Sequence, residues 1–238
     1  MRRTLAALAC SLALYAPAVA IVGDAPPAEW TMVRPTVMVR SQRGACSGIV
    51  VAQNLVLTAA HCVTAVADYF IVGYIAGLTG ARPFRLAEVA TIVLHPQYSP
   101  ATGARADIAL LKLTKPLPTD FVSVFLTPHY VRAGDRVIVV GYGLGKQNDH
   151  QSVGIPRMAM LVVTHSNANQ FTLKDQNGDK ISGCGGDSGA PVFAARRVYA
   201  LVGVVSGGGC GTETLATAFA GHRTWLIETA RTLSSPVD

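Results

Sequence analysis

Gly183-Cys184-Gly185-Gly186-Asp187-Ser188-Gly189-Ala190-Pro191 sets one hydroxyl among glycines beside a carboxylate, and two distant stretches supply what that hydroxyl lacks. They are Thr58-Ala59-Ala60-His61-Cys62 and Asp107-Ile108-Ala109-Leu110-Leu111-Lys112-Leu113. A serine is a poor nucleophile at neutral pH. Its attack on an acyl carbon needs an imidazole to accept the proton and an anion to hold that imidazole in one tautomer. Ser188, His61 and Asp107 supply nucleophile, base and orienting carboxylate, so acyl transfer is the leading chemistry. Asp107 heads an apolar strand, where a carboxylate without a partner is costly to bury.

Working outward from these words, short β-rich runs recur between Gly and Pro breaks at 48–52, 55–59, 88–94, 108–113, 136–140, 158–164 and 199–206. This predicts an all-β chain with little helix. Trp225, Leu226, Ile227 and Leu233 share one face of a closing amphipathic helix over 224–233. The Pro-punctuated stretch 115–128 reads as the connection between two halves, with His61 and Asp107 in the first and Ser188 in the second.

The chain order His61, Asp107, Ser188, the words around each, and His95-Pro96-Gln97-Tyr98 ahead of the aspartate resemble the chymotrypsin-like serine endopeptidases. Subtilisin-type and α/β-hydrolase triads run in other orders. The resemblance extends from Ile21 to the last helix. It implies two six-stranded antiparallel Greek-key β-barrels and a C-terminal α-helix, with 21–125 forming the first barrel and 126–238 the second of one peptidase domain. The site would then lie in the cleft between them. It also implies an oxyanion hole from the N–H groups of Gly186 and Ser188, with Ser206 supporting Asp107. Ser182 falls at the base of the primary pocket and Gly208 and Thr214 at its walls. Ser182 puts no carboxylate there, so cleavage after Lys or Arg is disfavoured and neutral P1 side chains of small to medium size are expected. Gly207 stands where the family usually has an aromatic residue. The family pattern pairs Cys46 with Cys62 and Cys184 with Cys210, although four cysteines by themselves permit three connectivities.

Arg2 and Arg3 precede an apolar run over 5–19, and Ala18-Val19-Ala20 is a small-x-small cleavage site, so 1–20 reads as a secretory signal peptide. Export to the extracellular space or periplasm follows. Lipid attachment at Cys10 fits poorly, because the apolar stretch before it is too short. Cleavage after Ala20 leaves Ile21-Val22-Gly23-Asp24 as the new amino terminus. In the resembled family the freed ammonium pairs with the aspartate before the serine, here Asp187, so signal removal and activation would be one event. A cut elsewhere followed by trimming is the other reading.

Hydrophobic residues make up 50% of the 238 and charged residues 14%, a composition that argues against disorder. Loss of Arg2 and Arg3 lowers the formal charge from +6 to +4. No basic stripe with interleaved aromatics points to nucleic acid, and no long apolar run after the signal points to a membrane span. Four cysteines in an exported chain fit disulfides, and no Cys-x-x-Cys spacing suggests a metal. Asp175-Gln176-Asn177-Gly178-Asp179 reads as a polar turn, because Lys180 stands where a calcium loop needs glycine. Arg196-Arg197 reads as an exposed hairpin, and His95, His129, His150, His165 and His222 as surface or packing residues. The expected partners are a protein or peptide substrate and a protein protease inhibitor, with the chain acting as a monomer and needing no cofactor or metal. Two alternatives stand beside this: a catalytically silent binding relative, and an esterase-like or narrowly specific one.

Overall fold

The computed structural model describes residues 21–64, 67–74, 83–101, 106–178, 180–235 and 237. The signal segment with Cys10, and Asp179 of the polar turn, lie outside the described residues. Six strands close the first barrel: β1 (Thr36–Ser41), β2 (Gly44–Ala52), β3 (Leu55–Thr58), β4 (Phe70–Gly73), β5 (Phe84–Leu94) and β6 (Ala109–Leu113). Their order is β1-β2-β3-β6-β5-β4 and every pairing is antiparallel. The short β7 (Phe125–Leu126) follows and lies parallel to a later strand. The second barrel takes β8 (Arg136–Gly141), β9 (Arg157–Ser166), β10 (Gln170–Lys174), β11 (Pro191–Ala194), β12 (Ala200–Gly209) and β13 (Glu213–Ala218). They run β11-β8-β9-β10-β13-β12, and the β11–β12 pairing closes the ring while β7 adds to β12. One helical turn, α1 (Trp30–Val33), precedes the barrels and α2 (Arg223–Thr232) ends the chain. This is the expected all-β architecture of two antiparallel barrels with a terminal helix.

The near-continuous apolar runs have a physical reason. Strands β2, β3 and β6 of the first barrel bury both faces over most of their length, so alternate residues serve different cores. Val50, Val56 and Leu111 lie in one row across β2, β3 and β6 and fill the first barrel. Ile49, Leu57 and Leu110 form the next row and face outward, meeting Val140, Phe193, Leu201, Val204 and Phe219 of the second half. Leu226 and Ala230, one turn apart on α2, pack into that same seam. Each fully buried Leu, Ile, Val or Phe stabilises by about 1.5–3 kcal/mol, so the seam binds the halves as firmly as a core. A separate cluster with Val139, Leu161, Val192 and Ala216 fills the second barrel, and Ile21 belongs to it.

Two of the histidines read as surface or packing residues are a buried pair across this seam. His95 follows β5, and His222 ends the 3₁₀ turn Ala220–His222 that leads into α2. Their rings meet edge to face with centroids 4.7 Å apart, and Trp225 lies 4.7 Å from His95 on another side. Gln97 N–H donates to His95 Nδ1 at 3.2 Å, so His95 carries its proton on Nε2 and donates it to His222 Nδ1, also at 3.2 Å. His222 then keeps its own proton on Nε2, which has no partner among the described residues. A proton added to His222 Nδ1 would face another N–H. Burial, and secondarily the facing imidazole of His222, lower His95 to about 4, and burial lowers His222. Both are therefore neutral in the folded chain at pH 7. As pH falls below about 6.5 the unfolded chain takes up protons that the folded chain refuses, so stability declines towards pH 4. For His95 the loss by pH 5 is about 2 kcal/mol. Urea unfolding at pH 7.5 and pH 5 should show a pH-dependent loss that shrinks by about that amount in His95→Asn; equal losses in both proteins would refute this account.

Candidate active site

His61 sits in the 3₁₀ turn Ala60–Cys62 directly after β3, and Asp107 lies two residues before β6. Because β3 pairs with β6 at Thr58 and Ala109, the ladder brings the two together although 46 residues separate them. Asp107 Oδ1 accepts the backbone N–H of His61 at 2.9 Å. Its Oδ2 accepts from His61 Nδ1 at 2.7 Å and from Ser206 Oγ at 2.6 Å. The imidazole proton is thereby placed on Nδ1 and Nε2 is left as a base. Asp107 is 3% exposed. Burial pulls its carboxyl upward, but hydrogen bonds from the His61 side chain, Ser206 and the His61 backbone outweigh it and hold the group below its ordinary value. The carboxylate is charged because donors surround it.

Ser188 projects from a loop tied to β12 by the Cys184–Cys210 disulfide, and the Cys46–Cys62 disulfide ties the His61 turn to β2. Both pairings are those the resemblance implied. Gly186 at φ +96° and Gly189 at φ +84° turn the chain on either side of the serine. A Cβ at Gly189 would stand 2.2 Å from both Ser47 O and Thr58 Oγ1, so the first barrel presses against this loop. The N–H groups of Gly186 and Ser188 donate to nothing among the described residues. They flank the hydroxyl as unpaired donors. Ser188 Oγ and His61 Nε2 share no hydrogen bond here; Nε2 lies 3.7 Å from Cys62 Sγ. Such bonds are commonly long without substrate and tighten when it binds.

Ser47 was not foreseen from the sequence. It is fully buried on β2, and its hydroxyl donates to Gly186 O at 3.0 Å while accepting Tyr142 N–H at 3.0 Å. Its N–H donates to Ser188 O at 2.8 Å, and its carbonyl accepts Thr58 Oγ1–H at 2.7 Å. One residue thus joins the His61 strand, the serine loop and the end of β8. The available signal was the neighbouring Cys46, since a bridge to Cys62 carries Ser47 to the histidine turn.

Beside Ser188 opens a cavity of about 140 Å³ whose walls are largely main chain: Gly183, Cys184 and Gly185 on one side, Gly207 and Gly208 on the other. Ser182 and Thr214 lie one layer behind, both fully buried. Ser182 Oγ accepts Gly211 N–H at 2.7 Å and Thr214 Oγ1 accepts Gly183 N–H at 2.7 Å. Thr214 Cγ2 comes within 3.2 Å of where a Gly183 Cβ would be and limits the depth. Among the described residues no carboxylate lines the cavity; Glu213 is exposed and paired with Lys174 at 3.5 Å. Cys46, Cys62 and His61 bring potential ligand atoms within 4.8 Å of one another, but bridged sulfurs offer no thiolate to a metal.

Asp187 is wholly buried and accepts from Gly143 N at 2.8 Å and Cys184 N at 2.9 Å. Burial outweighs these two donors and raises its carboxyl to about 7. Ile21 is also fully buried, with φ +50°, and the next residue, Val22, bridges to Ser182.

The family model for Trypsin matches residues 23–226. The chain is 28% identical over 220 residues to vitamin K-dependent protein C of Oryctolagus cuniculus, which covers 79% of this chain and 45% of that protein. It is also 28% identical over 204 residues to chymotrypsin-like elastase family member 1 of Canis lupus familiaris, covering 76% and 79%. The chain thus spans less than half the length of the protein C relative. Among solved structures it is similar to neuropsin, a serine protease expressed in the limbic system of mouse brain, with a TM-score of 0.74, 20% identity, and coverage of 88% of this chain and 99% of that one. With a model match over most of its length and both barrels in place, the chain belongs to the trypsin family of chymotrypsin-like serine proteases.

Proposed function

We propose that this chain is a secreted serine endopeptidase that hydrolyses peptide bonds through an acyl-enzyme. The observation that carries the reading is the pair of unpaired N–H groups at Gly186 and Ser188 beside a histidine whose tautomer Asp107 fixes. Substrate would draw Ser188 Oγ and His61 Nε2 into contact. Nε2 takes the hydroxyl proton as Oγ bonds to the carbonyl carbon, and the oxygen that gains charge is met by the two N–H groups. His61 then passes the proton to the departing amine. Water, deprotonated by the same Nε2, releases the acyl group and restores Ser188. The donors would stabilise the developing charge by about 2.7–4 kcal/mol each.

The glycine walls, the depth limit at Thr214 and the lack of a lining carboxylate favour a neutral P1 side chain of small to medium size. Ser182 and Thr214 would act through the backbone they hold. Two disulfides fit an extracellular protein, and no helix among the described residues is long and apolar enough to cross a membrane. For activation, cleavage after Ala20 would free the Ile21 ammonium next to the serine loop and supply Asp187 with a cation. It would also remove the φ torsion of Ile21, whose positive value is unfavourable for a β-branched residue.

A fluorophosphonate should label Ser188, and Asp107→Asn should lower kcat about 10⁴-fold on a neutral-P1 peptide while leaving the chain folded. Absence of labelling on folded protein would instead favour a silent binding relative. The activation pairing has its own signature in a kcat/KM profile against pH. A free α-ammonium titrates near about 7.7–8.0, pairing with a buried carboxylate raises it, and activity should persist below that raised value and fall as pH climbs through it. Acetylation of Ile21 should abolish activity; acetylated enzyme at full activity would refute the pairing. Ser47→Ala leaves Tyr142 N–H and Gly186 O without their partner, so the oxyanion loop should loosen and kcat should fall about 10- to 100-fold with KM nearly unchanged. A change confined to KM or to thermal stability would reduce Ser47 to packing.

A further inference from the structure

The cavity assigned to the P1 side chain has a neighbour across Gly185 and Gly186. A second cavity of about 320 Å³ opens there, with Arg40, Ala45, Leu144, His150, Val153 and Gly186 in its lining. Its position follows from proton traffic. If His61 Nε2 protonates the departing amine, that amine leaves past the nearest sulfur, Cys62 Sγ at 3.7 Å, which is bonded to Cys46. Ala45 precedes Cys46, and its carbonyl lies 3.6 Å from where a Cβ on Gly186 would stand. The disulfide, Ala45 and Gly186 thus form a continuous surface between His61 Nε2 and this cavity. Two extended residues span about 7 Å along such a surface.

The cavity's charge is one-sided. Arg40 stands opposite Ala45 in the β1–β2 ladder, so both side chains share a face about 5 Å apart. Arg43 is at the tip of the same hairpin and Lys146 follows Leu144 by two residues. Among the described residues no carboxylate pairs with Arg40, Arg43 or Lys146. Asp149 adjoins His150, but its Oδ1 accepts Gln151 N–H at 3.1 Å as the cap of the 3₁₀ turn His150–Ser152. Leu144 and Val153 offer an apolar surface on which the methylenes of a glutamate could lie.

We propose that this cavity is a subsite selecting an acidic side chain within the two residues after the cleaved bond, and that Arg40 reads the carboxylate. The proposal rests on the peptidase reading, and the experiment separates the two. Quenched peptides identical except for Glu or Gln at those positions are compared in low and high salt. Wild type should favour the Glu peptide in kcat/KM by about fivefold at low salt, less in 0.5 M NaCl, and the ratio should approach one in Arg40→Gln. Equal, measurable rates of cleavage in wild type, or a preference that survives Arg40→Gln, would overturn it. The same peptides are titrated calorimetrically into Ser188→Ala, which needs no turnover. Tighter binding of the Glu peptide that disappears in Ser188→Ala/Arg40→Gln supports the subsite even if wild type cleaves neither peptide, in which case the peptidase reading fails alone. Equal binding of the two peptides sinks the subsite whatever the rates.

Discussion

Neither barrel holds the site by itself, and hydrogen bonds across the seam, those of Ser47 foremost among them, fix one half against the other. The apolar seam around Ile49, Leu57, Phe193 and Leu226 draws the halves together, but hydrophobic attraction has no direction and would tolerate small slips. Ser47, braced by Thr58 of its own barrel, removes that freedom by meeting Tyr142, Gly186 and Ser188 of the other at hydrogen-bond distance. Each such bond adds only about 0.5–1.5 kcal/mol of net stability. Its larger effect is geometric, because in a buried seam any misalignment leaves polar groups without partners. Seam and serine together hold the His61 turn of one barrel against the Ser188 loop of the other.

The two buried aspartates show how differently one residue type behaves in two settings. Asp107 has a histidine, a serine and a backbone N–H around it and stays charged. Asp187 has two backbone N–H groups and deeper burial, and its carboxyl rises to about 7. The first is complete, whereas the second has no cation among the described residues, and the proposed cut before Ile21 would provide one.

Much of this was legible because the informative residues form local words. The stretches around His61, Asp107 and Ser188 carried the candidate site, and their chain order carried the fold. The seven β-rich runs all fall on strands, yet β1, β4, β7, β10, β11 and β13 had no such run assigned. Thr214 to Ala218 of β13 hold two threonines and two alanines around one large apolar residue, Leu215, and their pairing comes from β10 and β12 rather than from an apolar pattern of their own. Ser47 escaped notice for another reason: its partner Gly186 is 139 residues away, and the neighbouring Cys46 points to the histidine turn but not to the serine loop. The His95 and His222 pair joins residues 127 apart, so the sequence could rank each as packing but could not bring them together.

The glycine-lined wall beside Ser188 has a consequence for how this scaffold could diversify. At Gly207 an added Cβ would meet nothing within 4 Å, and the residue needs no left-handed backbone. Most positions this near a reactive centre are hemmed in, so changing them costs stability before any new selectivity emerges. Here a laboratory library or natural drift could install a ring, an aliphatic group or a charge at the mouth of the cleft without rebuilding either barrel. Substrate choice is thereby uncoupled from folding at that one position.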